Sequence, residues 1–105
     1  MDGRRRLIRK RDGRVVPFRV GRIASAISRA MEATGKPDEK LARKLASIVS
    51  ERIRTSFVES IPGVEDVQDM VERVLIEKNL PDVAKAYILY RQKRAEIRDA
   101  KALLG

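Results

Sequence analysis

The chain has no cysteine, no histidine and no tryptophan among its 105 residues. Lack of cysteine excludes disulfides, zinc ribbons and thiolate nucleophiles. Lack of histidine removes the commonest general base, leaving acid–base work to Asp, Glu, Lys and Tyr. Two Tyr and two Phe are the only aromatics, so little is available for stacking bases. No apolar run approaches the ~18 residues that a membrane span needs. The opening Met1-Asp2-Gly3-Arg4-Arg5-Arg6 has no apolar signal segment. The expectation is a cytoplasmic protein with no membrane partner. Both common phosphate cradles, G-x-x-x-x-G-K-[ST] and G-x-G-x-x-G, are missing as well. Any phosphate site must therefore be assembled from cationic side chains, backbone N–H groups and a helix N-terminus.

What is present in excess is positive charge. Lys and Arg number 24 against 15 Asp and Glu, a net charge of +9. Residues 1–14 alone hold seven cations against two carboxylates, and a second basic cluster comprises Arg91, Lys93, Arg94, Arg98 and Lys101. Such a field attracts polyanions, whether nucleoside triphosphates or nucleic acid. The length allows one domain with one core.

The hydrophobic pattern predicts a β-hairpin followed by four amphipathic helices. Leu7-Ile8 and Val15-Val16-Pro17-Phe18 are β-prone runs on either side of Asp12-Gly13, a strong hairpin signal because glycine accepts positive φ. Ile23, Ile27, Ala30 and Met31 then fall on one face of a helix stopped by Gly35 and Pro37. Asp38 caps or charges a second helix with Leu41, Leu45, Ile48 and Val49 on its apolar face, which Ile53 can extend. A connection from Thr55 to Gly63 leads to a third helix carrying Val64, Val67, Val71, Val74 and Leu75. Asn79-Leu80-Pro81 breaks it and starts a fourth, running through Val83, Ala84 and Tyr87 to about Arg98.

Lys10 and Arg11, taken alone, are a solvated hairpin tip. Their position suggests more. The hairpin feeds directly into the first helix, so Lys10, Arg11 and Arg22 could converge on its unpaired N–H groups. Arg19 and Arg22 there oppose the helix dipole, a mild conflict that a bound anion would relieve. Asp66, Asp69 and Glu72 could be read as a metal or acid–base cluster. A solvated face paired with Arg73 or with cations of the fourth helix is the expectation. Tyr87 and Tyr90 are expected to pack in the core, and Gln68, by itself, is a surface residue.

Three segments in order resemble the ATP-cone domain. They are Ile8-x-Lys10-Arg11-Asp12-Gly13 with Pro17-Phe18 and Arg22-Ile23-x-x-Ala26-Ile27; Val64 to Glu72; and Ala84 to Arg94. The resemblance covers residues 6–98. It leaves residues 1–5 as a disordered basic N-terminus and 99–105 as a tail or link to a further domain. The fold it implies is α+β, mostly α, with an N-terminal β-hairpin capping a four-helix bundle. The function it implies is regulatory binding of ATP or dATP, with Mg²⁺, for a ribonucleotide reductase met in cis or in trans, and control of oligomeric state. By the same resemblance Ile8 and Ile23 lie beside the base, and Lys10 and Arg11 meet nucleotide or phosphate. Val16, Pro17, Phe18, Arg19, Val20, Gly21 and Arg22 wrap the nucleotide. Val64 and Gln68 match contacts on the third helix, and Lys93 matches a late phosphate-binding lysine. Departures from the family pattern are Gly21 for an acidic residue, Arg22 for lysine and Val64 for a hydroxyl residue. The end of the chain, from Arg94, resembles the link into cobalamin-dependent or anaerobic reductases.

Two other readings fit the composition. A basic helical module that binds nucleic acid accounts for the charge, but it lacks aromatics and a recognition-helix pattern. A structural oligomerisation domain without ligand would keep the fold alone. Catalysis by this chain is not expected, because no nucleophile–base pair can be assembled from its residues.

Overall fold

The computed structural model describes residues 6–104. The N-terminal stretch expected to be disordered, residues 1–5, lies outside them, as does Gly105. Two short antiparallel strands, β1 (Leu7–Arg9) and β2 (Val15–Pro17), precede helices α1 (Val20–Ala33), α2 (Glu39–Ser56), α3 (Val64–Glu77) and α4 (Pro81–Leu104). This is the mostly helical α+β architecture that the periodicity predicts.

The hairpin turn forms for local reasons. Gly13 takes φ +91°, and its N–H donates to the Lys10 carbonyl at 2.9 Å. The Asp12 carboxylate accepts from the Arg14 backbone N–H at 3.0 Å and from its guanidinium at 2.7 Å. Those bonds hold the Asp12 carboxyl below its usual range. Pro17 ends β2 opposite Leu7, where its missing N–H interrupts no further ladder.

The helix stops are equally local. At the end of α1, the Gly35 N–H donates to Glu32 and the Lys36 N–H to Met31, with Gly35 at φ +76°. This is the left-handed closure that glycine favours. Asn79 closes α3 in the same manner at φ +60°, with the Leu80 N–H reaching the Leu75 carbonyl. Asp38 caps α2 by accepting from the Leu41 N–H at 3.0 Å.

Each helix packs on its neighbour in sequence, and α4 closes back on α1. The core is Ile23, Ile27, Ala30 and Met31 of α1, Leu45, Val49 and Ile53 of α2, Val67, Val71, Val74 and Leu75 of α3, and Val83, Ala84 and Tyr87 of α4. Ala42, Ala46 and Ser50 complete the α2 face. They are small residues where close approach of another helix leaves little room.

One boundary differs from the sequence reading. α4 continues past Arg98 to Leu104, because Asp99-Ala-Lys-Ala-Leu-Leu contains strong helix formers and neither Gly nor Pro. Leu103 and Leu104 on this last turn are exposed.

Candidate functional site

Bonds from both ends of β1 hold the hairpin against the bundle and decide where its charged turn points. The Arg9 N–H donates to the Pro62 carbonyl at 2.9 Å, and Arg9 forms a parallel bridge with Gly63. The Arg6 guanidinium donates to the carbonyl and hydroxyl of Ser50 on α2, at 3.0 and 2.6 Å, and lies 5.2 Å above the Phe18 ring. Ser50, the buried polar residue of the core, is thereby satisfied.

With β1 tied to residues 62 and 63, the turn leans on the start of α3. A cleft of about 340 Å³ opens there, lined by Arg9, Lys10, Arg11, Gly63, Val64, Glu65 and Asp66. The sequence reading brings Lys10 and Arg11 to Arg22 at the start of α1; the cleft that they line runs to α3 instead. Arg19, Gly21 and Arg22 are exposed and do not line it. The cause is the pairing of β1 with the segment before α3, a long-range contact that local pattern does not reveal.

The cleft is rich in donors. Gly63, at the N-cap of α3, offers no side chain to the first-turn amides, so helix N–H groups add to the three cations. Asp66 turns back to accept from the Gly63 N–H at 2.8 Å. Arg11 pairs with Glu65 at 2.8 Å, and Arg9 donates to the Gly13 carbonyl at 3.2 Å. Among the described residues, Lys10, half-buried, makes no side-chain hydrogen bond or ion pair, and its charge acts on the nearby Asp12 carboxylate.

One turn along α3 from Val64, on the same face, stands Gln68. Its Oε1 is buried and accepts no hydrogen bond from any described residue. A buried carbonyl without a donor costs roughly 1–3 kcal/mol. Such an exception calls for a donor from outside the chain, an ordered water or a ligand. The sequence alone makes Gln68 a surface residue; only the family resemblance singled it out.

The remaining expected site residues fall into two groups. Ile8, Val16, Phe18 and Val20 are half-buried and Ile23 is buried, with Ile8, Phe18 and Val20 packed against the core. Pro17 is exposed. Lys93 is exposed on α4 and lines neither of the clefts found at the hairpin. Arg91, two residues earlier, reaches Asp69 and Glu72.

The acidic face of α3 is accounted for by that contact. Arg91 donates to Asp69 at 2.8 Å and to Glu72, as expected of a face paired with α4. Asp66 serves as a cap. Among the described residues no group of three or more acidic side chains is placed to hold a metal ion. Tyr87 is buried as expected, and Tyr90 accepts from Arg29 at 3.1 Å. Arg6, Arg9, Gly63, Glu65 and Asp66 are parts of the hairpin end that the sequence reading did not include.

The fold and the cleft together define a class: a small α+β domain whose basic hairpin turn meets a helix N-terminus. The chain belongs to the ATP-cone family: residues 6–96 match the ATP cone domain. It is 45% identical to the vitamin B12-dependent ribonucleoside-diphosphate reductase of Mycobacterium tuberculosis over 98 residues, covering 93% of this chain and 14% of that protein. The reductase of the same name from Thermoplasma acidophilum is also 45% identical, over 91% of this chain and 13% of the relative. The anaerobic ribonucleoside-triphosphate reductase of Salmonella typhimurium is 34% identical over 93% of this chain and 13% of its own length. The chain thus spans about one seventh of the reductases that it matches. No helix among the described residues is long and apolar enough to cross a membrane.

Proposed function

We propose that this domain binds ATP and dATP at its hairpin end and thereby controls the activity or assembly of a ribonucleotide reductase, joined to it or met in trans. The observation that carries the reading is the combination at the start of α3. Lys10 and Arg11 face its first-turn amides across one cleft, and one turn further lies the unpartnered Gln68 carbonyl.

The chemistry fits a nucleoside triphosphate in each part. Lys10 and Arg11 with the α3 amides supply charge-assisted donors for phosphate oxygens. Gln68 Oε1 needs a donor, and a nucleoside offers the adenine amino group and ribose hydroxyls. The family resemblance would place the base beside Ile8 and Ile23, with residues Val16 to Arg22 wrapping it, although none of these lines the cleft itself. Arg22 and Lys93 add positive charge from α1 and α4. Mg²⁺ would arrive on the triphosphate and keep mostly water ligands, its usual habit. The role is regulatory rather than catalytic. It is suited to a cytoplasmic host and compatible with assembly into homo-oligomers.

Calorimetric titration with ATP and with dATP, in the presence of Mg²⁺, tests the reading. Micromolar binding of at least one is expected; silence for both, with folded protein, contradicts it. Duplex DNA titrated at two salt concentrations checks the nucleic-acid alternative. That reading requires tight binding that falls steeply with salt.

A further inference from the structure

The cleft contains its own anion. Glu65 projects from the first turn of α3 and places Oε1 2.8 Å from the Arg11 guanidinium, across 54 residues of chain. Its carboxylate stands where a phosphate oxygen would meet Arg11. The other cleft carboxylate, Asp66, is committed to the Gly63 N–H. We infer that Glu65 is an internal competitor for phosphate. It holds Arg11 in the free domain, must be displaced when a triphosphate enters, and so sets the affinity of the site for the phosphate part of its ligand.

Three features make the exchange easy. The pair is open to water, with side chains 38% and 62% exposed, and exposed pairs of this kind are weak. Displaced Glu65 remains beside the positive end of α3, which retains part of its stabilisation. A triphosphate brings more charge to Arg11 than one carboxylate, and it gains Lys10, which no hydrogen bond or ion pair from a described side chain holds back. Glu65 therefore tunes binding without blocking it. Its effect should track phosphate and not base, because adenosine has no reason to disturb Arg11.

This inference rests on the nucleotide-binding reading, and the test separates the two. ATP, inorganic tripolyphosphate and adenosine are titrated into the full chain and into Glu65→Gln. Glu32→Gln, which removes the same charge at the end of α1, is the control. Glu65→Gln should bind ATP and tripolyphosphate about two- to fivefold more tightly at low ionic strength. The gain should shrink toward nothing in ~0.5 M salt. Adenosine binding, and every affinity of Glu32→Gln, should match wild type. Equal binding of triphosphate by Glu65→Gln and wild type overturns the role of Glu65 alone, as does an equal gain in Glu32→Gln. Silence of wild type and Glu65→Gln toward both ATP and tripolyphosphate overturns the nucleotide reading as well. Circular dichroism melts confirm that each variant is folded.

Discussion

The two halves of α3 carry charge in opposite conditions. In its middle, Asp69 and Glu72 share one guanidinium, that of Arg91, whose side chain is 20% exposed. Burial there works against the Arg91 charge, but the hydrogen bonds that it donates to both carboxylates outweigh this and hold the guanidinium above its ordinary value. At the start of α3, three cations face two carboxylates, Lys10 makes no hydrogen bond or ion pair with a described side chain, and one turn further the Gln68 carbonyl lacks a donor. One set of charges is settled within the fold and the other is not. Settled charge fastens helix to helix. An unpaired cation and an orphaned acceptor at one end of the same helix are what the proposed binding site rests on.

The comparison can be broken first by pH. Tyr87, packed behind the Arg91 contact, has its phenol pushed up to about 12, chiefly by burial, with Arg91 opposing and Glu72 adding to the rise. An unfolded tyrosine loses its proton near pH 10, so the folded form is the harder to ionise. Stability should be unaffected below pH 10 and fall between pH 10 and about 12, by roughly 2–3 kcal/mol at most. Denaturant melts across that range check it, and Tyr87→Phe should remove most of the loss.

A mirrored pair of substitutions sharpens the contrast. Lys10→Ala should weaken ATP binding by about 1–3 kcal/mol and leave the melting temperature almost unchanged. Arg91→Ala should do the reverse, lowering stability by about 1–2 kcal/mol, as for a pair only partly shielded from water, with ATP affinity kept. If both variants lose stability and binding together, the two regions are not separable. The smallest effect belongs to Gln68→Leu. Removing a carbonyl that has no donor should leave stability level or raise it by up to about 1 kcal/mol, while nucleotide affinity falls. A thermal melt beside a titration reads both.

How much of this was legible in the sequence depended on distance along the chain. Asp12-Gly13, Gly35 and Asn79-Leu80-Pro81 announce their turns because the physics is local: positive φ and a missing N–H. The core stripe of α1, Ile23, Ile27, Ala30 and Met31, was read directly from its spacing, and all four are buried. The alanines of α2 were not, since small residues carry little hydrophobic signal. Of the candidate site, Lys10, Arg11 and Val64 do line one cleft. What joins them is the bond from the Arg9 N–H to the Pro62 carbonyl, a pairing no periodicity encodes. Nothing local in the sequence ties Glu65 to the hairpin; its bond to Arg11 appears only once the hairpin is folded over. Gln68 drew notice by family likeness alone, and the burial of its carbonyl is a product of packing.

The most direct test of the account is amide chemical-shift mapping of isotope-labelled protein titrated with ATP and with dATP. The largest shifts should fall on residues 9–13 and 63–68, with smaller ones at the start of α1. Shifts confined to the apolar groove between Phe18, Phe57 and Pro62, or to the exposed last turns of α4, would contradict it.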